Sequence, residues 1–129
     1  MRYLLDTHCW LWLQAAPERI GRRTTKRLED PRNELLLSTA SAWEIAIKYE
    51  LGKLRLPSAP SEYVPSRLEV SGTRLFELEL RHVLHVADLP RHHRDPFDRL
   101  LVAQAQLDDL VLVTDDDGIL AYDVKVLEP

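Results

Sequence analysis

The 129-residue sequence is poor in the residues on which several common chemistries depend. Cys9 is its only cysteine, so no disulfide can form within the chain and no thiolate zinc cluster can be assembled. The four glycines, Gly21, Gly52, Gly72 and Gly118, are too scattered for a phosphate-cradling loop, and neither G-x-S-x-G nor H-E-x-x-H occurs. No apolar run approaches the roughly 20 residues of a membrane span. The apolar opening YLLDTHCWLWL is interrupted by Asp6 and His8, which spoils a signal-peptide core and makes the cytoplasm the expected compartment. An excess of positive charge is missing too. With 17 Lys and Arg against 21 Asp and Glu, the net charge is −4, the wrong sign for binding nucleic acid through bulk electrostatics. Any such binding has to be local.

What is present is 45% hydrophobic, enough for one compact domain over residues 1–129 with a real core. Residues 2–5 and 35–37 read as short buried strands, LFELEL (75–80) alternates like a half-buried one, LVLV (110–113) is again buried, and KVL (125–127) is a last short strand. Helical patterns lie between them at 7–14, 22–30, 40–51, 60–70, 81–88 and 97–108. Gly52 suits a helix C-terminus, and Pro57, Pro60 and Pro65 mark a loosely wound connection. Strands alternating with helices predict α/β layers around a mainly parallel sheet. Ligands in such sheets collect at the carboxyl ends of the strands.

Acidic residues fall at those ends and on helix faces where solubility alone does not require them. Asp6 directly follows the first strand, where capping the next helix would also explain it. TDDDG (114–118) follows LVLV and reads either as a charged turn or as a cation site, since three adjacent like charges repel. In HRDPFDRLLVAQAQ (93–106), Asp95 at N-cap and Pro96 at N1 already satisfy a helix start. Asp98 is therefore surplus. At 100° per residue it lies within about 60° of Leu101, Val102 and Ala105, on the stripe that faces the protein. Glu44 likewise borders the apolar stripe of its helix, although Lys48 four residues on would make an ordinary surface pair. Four carboxylates that can converge without cysteine or obligatory imidazole suit hard Mg²⁺ or Mn²⁺, and such clusters perform phosphoryl chemistry.

The chain resembles the PIN-domain family, and more narrowly the toxin nucleases of VapBC-type toxin–antitoxin pairs. The matching stretches are LLDTH (4–8), SAWEIAIKYELGKL (41–54), LPRHHRDPFDRLLVAQA (89–105) and LVTDDDGILAY (112–122), in order along nearly the whole chain. This resemblance implies a three-layer α/β/α PIN-like fold and a divalent-metal-dependent endoribonuclease inhibited by a small cognate antitoxin and expected to form a homodimer. It carries the metal-site acids onto Asp6, Glu44, Asp98 and, reading T-x-D from Thr114, Asp116; Asp115 and Asp117 leave that register ambiguous. Thr7, Ser41 and Thr114 look like hydroxyls that orient an acid or a bound water.

Substrate capture falls to local arginines. Arg94 and Arg99 flank Asp98 and are the candidates to hold RNA phosphates, with salt bridges to Asp95 and Asp98 as the competing reading. The basic stretch Arg19, Arg22, Arg23, Lys26 and Arg27 reads as a solvated helix face. His82, His85, His92 and His93 read as exposed residues or phosphate contacts rather than a zinc site. CWLWL (9–13) puts five consecutive apolar residues on a helix, so one flank is expected to meet a dimer mate or partner. Two other functions remain compatible with these residues: a non-catalytic partner-binding module whose acids hold a structural ion, and a DNA nuclease using the same carboxylates.

Overall fold

A computed structural model describes residues 1–129. Strands β1 (Arg2–Leu5), β2 (Glu34–Ser38), β3 (Thr73–Phe76), β4 (Val111–Val113) and β5 (Lys125–Leu127) form one parallel sheet in the order β3-β2-β1-β4-β5. Helices α1 (Thr7–Ala15), α2 (Arg22–Glu29), α3 (Thr39–Glu50), α4 (Pro60–Ser71), α5 (Leu80–His85), α6 (Pro96–Asp108) and α7 (Asp117–Leu120) connect or follow the strands.

Alternation along the strands sends side chains to two cores. Tyr3, Leu5, Leu35, Leu37, Val111 and Val113 pack with Trp10 of α1, Ile45 of α3 and Val64 of α4 on one face. Leu4, Leu36 and Leu112 pack with Leu101, Val102 and Ala105 of α6 and Ile119 of α7 on the other. Burial on both faces is why these strands read as continuous apolar runs instead of alternating ones. The strand order reverses between β1 and β4, and a crevice at the carboxyl ends of those two strands is where an open parallel sheet collects a ligand. No helix is long and apolar enough to cross a membrane.

Three local expectations need correction. The strand at 75–80 is shifted to Thr73–Phe76, because β3 pairs in parallel with β2 from Leu35↔Thr73 to Ser38↔Phe76 and β2 ends there to cap α3. Beyond Phe76 there is no partner strand, so the alternating ELEL carries no ladder. The helix at 81–88 is α5 followed by a separate 3-10 turn at Val86–Asp88. TDDDG is not a simple turn, because Asp116 accepts the backbone N–H groups of Gly118 and Ile119 and so starts α7.

Other local signals match the structure, apart from the loosely wound connection expected at Pro60 and Pro65, which is a fourth correction. Gly52 adopts φ +72° just past α3, where its N–H reaches the Tyr49 carbonyl and the Lys53 N–H that of Lys48. Pro60 opens α4, while Pro65 lies inside that helix rather than in a loose connection. In CWLWL, Cys9 and Trp10 are core, with Trp10 Nε1 donating to Thr73 Oγ1 at 3.2 Å. Leu11, Trp12 and Leu13 are only partly buried against that core. Leu11 and Trp12 line an open groove with Leu54, Leu56, Pro57 and Tyr63, and the Arg19 guanidinium lies 4.9 Å from the Trp12 ring centre.

Candidate metal and nuclease site

Asp6 sits where β1 gives way to α1, and only 1% of its surface is exposed. It serves both roles open to it. Oδ1 accepts the Cys9 N–H at 2.8 Å and caps α1, while Oδ2 accepts the Thr114 hydroxyl across the crevice. Burial raises the Asp6 carboxyl above its ordinary value of 3.8, against the opposing effects of His8 and the bonds from Thr114 and Cys9. Thr114 Oγ1 also accepts the Asp116 N–H at 3.1 Å, so one hydroxyl ties the ends of β1 and β4 together.

Glu44 reaches the crevice from α3 and is buried. Its Oε1 accepts the Thr7 hydroxyl at 2.6 Å and its Oε2 accepts Lys48 Nζ at 2.6 Å. The i,i+4 pair with Lys48 therefore exists, but one partner is inside the protein. Glu44 and the nearby charges of Asp95 and Asp98 favour the charged form of Lys48, whose shift is upward. Ser41, one turn earlier on α3, is fully buried with a hydroxyl that has no hydrogen-bond partner in the chain.

Asp98 projects from the first turn of α6, whose N-cap is Asp95, accepting from Phe97 N at 2.8 Å and more distantly from Asp98 N at 3.3 Å. Its carboxyl is pushed up to about 7, first by burial and then by the charges of Asp95, Asp116 and Glu44, with His93 pulling the other way. Among the three acids of TDDDG, Asp116 faces Asp98. Asp115 instead accepts from His8 Nε2 at 2.7 Å, and Asp117 is exposed in the first turn of α7.

Histidine 93 is the group the sequence reading did not place in the site. Its Nε2 lies 2.9 Å from Asp98 Oδ2 and 3.2 Å from Asp116 Oδ1, out of line for a hydrogen bond to either. One donor atom from each of the three residues falls within 4.8 Å of the others. The seat is specific. Asp95 N–H donates to Nδ1 at 3.2 Å, which leaves the ring proton on Nε2, and the His93 N–H donates to the Tyr122 hydroxyl at 3.1 Å. A Cβ on Gly118 would stand 2.5 Å from His93 Cδ2, so only glycine leaves room for the ring. The signal for this was a histidine two residues before the N-cap and a glycine two after Asp116, which becomes meaningful only when α6 and α7 are brought together.

The other histidines also depart from the exposed reading. His82 is fully buried because both ring nitrogens are satisfied: Nδ1 accepts the Glu79 N–H at 2.9 Å and Nε2 meets Asp108 Oδ2 at 2.5 Å. His85 is half-buried, with Nε2 2.8 Å from Gln106 Oε1. Only His92 is exposed, against the Tyr122 ring.

Beside the acids lies a hollow of about 550 Å³ lined by Arg91, His93, Arg94 and Arg99 and by no apolar residue. The expected alternative, salt bridges from Arg94 and Arg99 to Asp95 and Asp98, is absent. Arg99 is instead anchored through Nη2 to the carbonyls of Val86 at 3.0 Å and Leu89 at 3.2 Å. Arg91 and Arg94 make no ion pair.

The residues fit a hard divalent ion. Oxygen donors dominate, the charges of Asp95, Asp116 and Glu44 add to burial in raising the Asp98 carboxyl, and Ser41, on the same helix as Glu44, keeps a buried hydroxyl without a partner in the chain. A five-stranded parallel sheet between helical layers, with acids at its strand-order reversal, is the architecture of a PIN-type domain. The PIN domain family profile matches residues 3–125, and the chain belongs to that family.

Among individual relatives, Ribonuclease VapC16 of Mycobacterium tuberculosis is 48% identical over 58 residues, a match spanning 45% of this chain and 41% of that protein. The match thus covers less than half the length of that relative. VapBC2 from Rickettsia felis, solved bound to a DNA fragment from its promoter, superposes with a TM-score of 0.72 at 15% identity over 99% of this chain and 98% of that one. VapBC-1 from nontypeable Haemophilus influenzae gives 0.67 at 17% identity over 99% and 98%. PAE2754 from Pyrobaculum aerophilum gives 0.60 at 21% identity over 99% and 83%. At these identities the superpositions establish the fold.

Proposed function

We propose that residues 1–129 form one nuclease domain, a divalent-metal-dependent endoribonuclease that is the toxin of a type II toxin–antitoxin pair and acts in the cytoplasm. The observation that carries this reading is the pairing of Asp98 with Asp116 beside His93, within electrostatic reach of Glu44, at the end of β4 to which Thr114 ties Asp6. Similarity to Ribonuclease VapC16 and to VapBC complexes supports the ribonuclease and toxin assignments.

Bound Mg²⁺ or Mn²⁺ would neutralise charge on the phosphodiester and supply a water of lowered pKa as nucleophile. Asp98 and Asp116 are the acids that would hold it most directly. Thr114 and Thr7 fix the orientation of Asp6 and Glu44, and Lys48 offsets the charge of Glu44. With its proton on Nε2, His93 offers a donor between Asp98 and Asp116. Arg94, with Arg91, presents unpaired guanidinium groups to substrate phosphates, and Arg99 forms the anchored wall of the same hollow.

Hydrolysis by water leaves 5′-phosphate and 3′-hydroxyl ends on single-stranded or loop RNA. End-group analysis of products made with Mn²⁺ tests this, and cyclic 2′,3′-phosphates formed in EDTA would defeat it. Single-stranded DNA of the same sequence, run in parallel, tests the DNA-nuclease reading.

The seat of His93 makes a second test. Gly118→Ala should displace the ring and lower cleavage about ten- to a hundredfold, since a shift on the order of 1 Å at a reacting site has that effect. Its melting temperature should change far less than its activity, because α7 is only four residues long and the ring it displaces makes no side-chain bond to α7. Full activity in the alanine variant would remove His93 from the machinery.

The groove beside Trp12 and Leu56 suits the apolar side of an antitoxin helix, and the neighbouring acids suit a basic residue on it. We also expect a homodimer. A neighbouring reading frame whose product copurifies with the chain and silences cleavage tests the antitoxin; sedimentation of the chain alone tests the dimer.

A further inference from the structure

Three tryptophans are present, and their environments differ. Trp10 is core and Trp12 lies under Arg19, whereas Trp43 on α3 is 59% exposed. Neither hydrophobic cluster uses Trp43. It immediately precedes Glu44, and its ring meets that of Phe97 in a T-shaped contact with centres 5.3 Å apart and planes at 78°. Phe97 immediately precedes Asp98. The two rings are thus tied to two of the site acids, one through each helix.

We propose that Trp43 is a stacking platform for an unpaired nucleobase of the RNA strand whose phosphate lies at the acids, which makes it a specificity-determining residue for single-stranded RNA. This rests on the nuclease reading above. A T-shaped contact covers at most one side of the indole and holds the ring in place, so little side-chain freedom is lost when a base lands on the open side. Every base has a π face, and aromatic stacking beside a basic track is how sequence-tolerant single-strand binding works. The basic track is present. At 100° per residue along α6, Asp98 points about 100° from Phe97 on one side and about 100° from Arg99 on the other, so the aromatic flank and the arginine hollow fall on opposite sides of the acid. A strand crossing Asp98 can place a phosphate in the hollow and a base on Trp43. Bases within a duplex have both faces covered by their neighbours, so the platform selects against paired RNA.

Trp43 also borders a shallow hollow with Ala40, Leu75 and Leu78, which a second copy of the chain could cover. Symmetric self-association there would bring the acids of both copies, each on a chain of net charge −4, toward one another, which disfavours that occupant.

The test measures binding of a labelled single-stranded RNA to the full chain carrying Asp98→Asn, with Trp43→Leu or Trp43→Phe added. Trp43→Leu should weaken binding roughly five- to a hundredfold, and Trp43→Phe should recover most of it. An abasic nucleotide moved along the RNA should weaken binding to the Trp43 protein at one position and leave the Trp43→Leu protein indifferent there. That arm uses the unaltered indole, so it decides the matter even if the leucine variant misfolds. Equal affinity of both variants, or an abasic effect that persists in Trp43→Leu, overturns the platform. So does a change in sedimentation with RNA affinity unchanged, which would assign the ring to a copy–copy contact. If the wild-type chain with Mn²⁺ neither binds nor cleaves RNA, the nuclease reading falls and the platform with it; cleavage retained with no Trp43 effect overturns the platform alone.

Discussion

Asp98→Asn is expected to abolish cleavage and, in EDTA, to raise the melting temperature. The carboxyl titrates at about 7 in the folded protein against an ordinary value of 3.8. An acid whose folded value is raised binds more protons in the folded than in the unfolded chain between those two values, so stability falls as pH rises through roughly 4 to 7. Below that window the penalty is absent, and above it the full penalty, on the order of 2–4 kcal/mol, is present. Asparagine keeps the shape and removes the charge, so it should recover much of that at pH 8, worth roughly 3–6 °C per kcal/mol in a chain of this size. The pH slope of stability between 4 and 7 should flatten with it. Mn²⁺ binds only the folded state and should raise the wild-type melting temperature, and do so less in the variant. Thermal melts of both proteins at pH 5 and pH 8, with EDTA and with Mn²⁺, check all four conditions. A variant less stable than wild type in EDTA, with the same metal shift, would reduce Asp98 to a helix N-terminal charge.

The arginines of the hollow should separate into two kinds when replaced. Arg91→Ala with Arg94→Ala removes two unpaired cations beside the acids, so RNA affinity should fall and the slope of log K against log salt should flatten by about 1–1.5, given ~0.7 per single-strand phosphate contact. Stability should barely move, because neither guanidinium bonds to the protein. Arg99→Ala should behave differently. Its Nη2 holds the Val86 and Leu89 carbonyls, which would lose a charged donor, so the melting temperature should drop by an amount equivalent to about 1–3 kcal/mol. Titrations at several salt concentrations alongside melts of the two variants measure both effects. An unchanged salt slope in the double variant would assign Arg91 and Arg94 to the surface alone.

Much of this architecture is local and so can be read along the chain. The strands at 2–5 and 125–127 and the Asp95–Pro96 start of α6 lie where spacing and capping chemistry put them. Helical periodicity also suffices to turn Glu44 and Asp98 toward the protein, because the angle between neighbouring side chains on a helix does not depend on what the helix packs against. Asp6 and Asp116 follow strands for the same kind of reason. What no single segment contains is distance between segments. That Asp116, and not Asp115 or Asp117, faces Asp98 follows from how α6 and α7 pack over β4. Both His82 and His93 looked like surface histidines, since a polar ring in a polar stretch belongs outside unless its nitrogens find partners. Asp108 lies 26 residues from His82, and Gly118 lies 25 from His93. The end of β3 was likewise set by the length of β2 beside it, and the alternation in its own sequence could not show that. Periodicity and capping energies act within a few residues, whereas burial, charge repulsion and the fit of a ring against a glycine depend on atoms that only the folded sheet and its two helical layers bring within reach of one another.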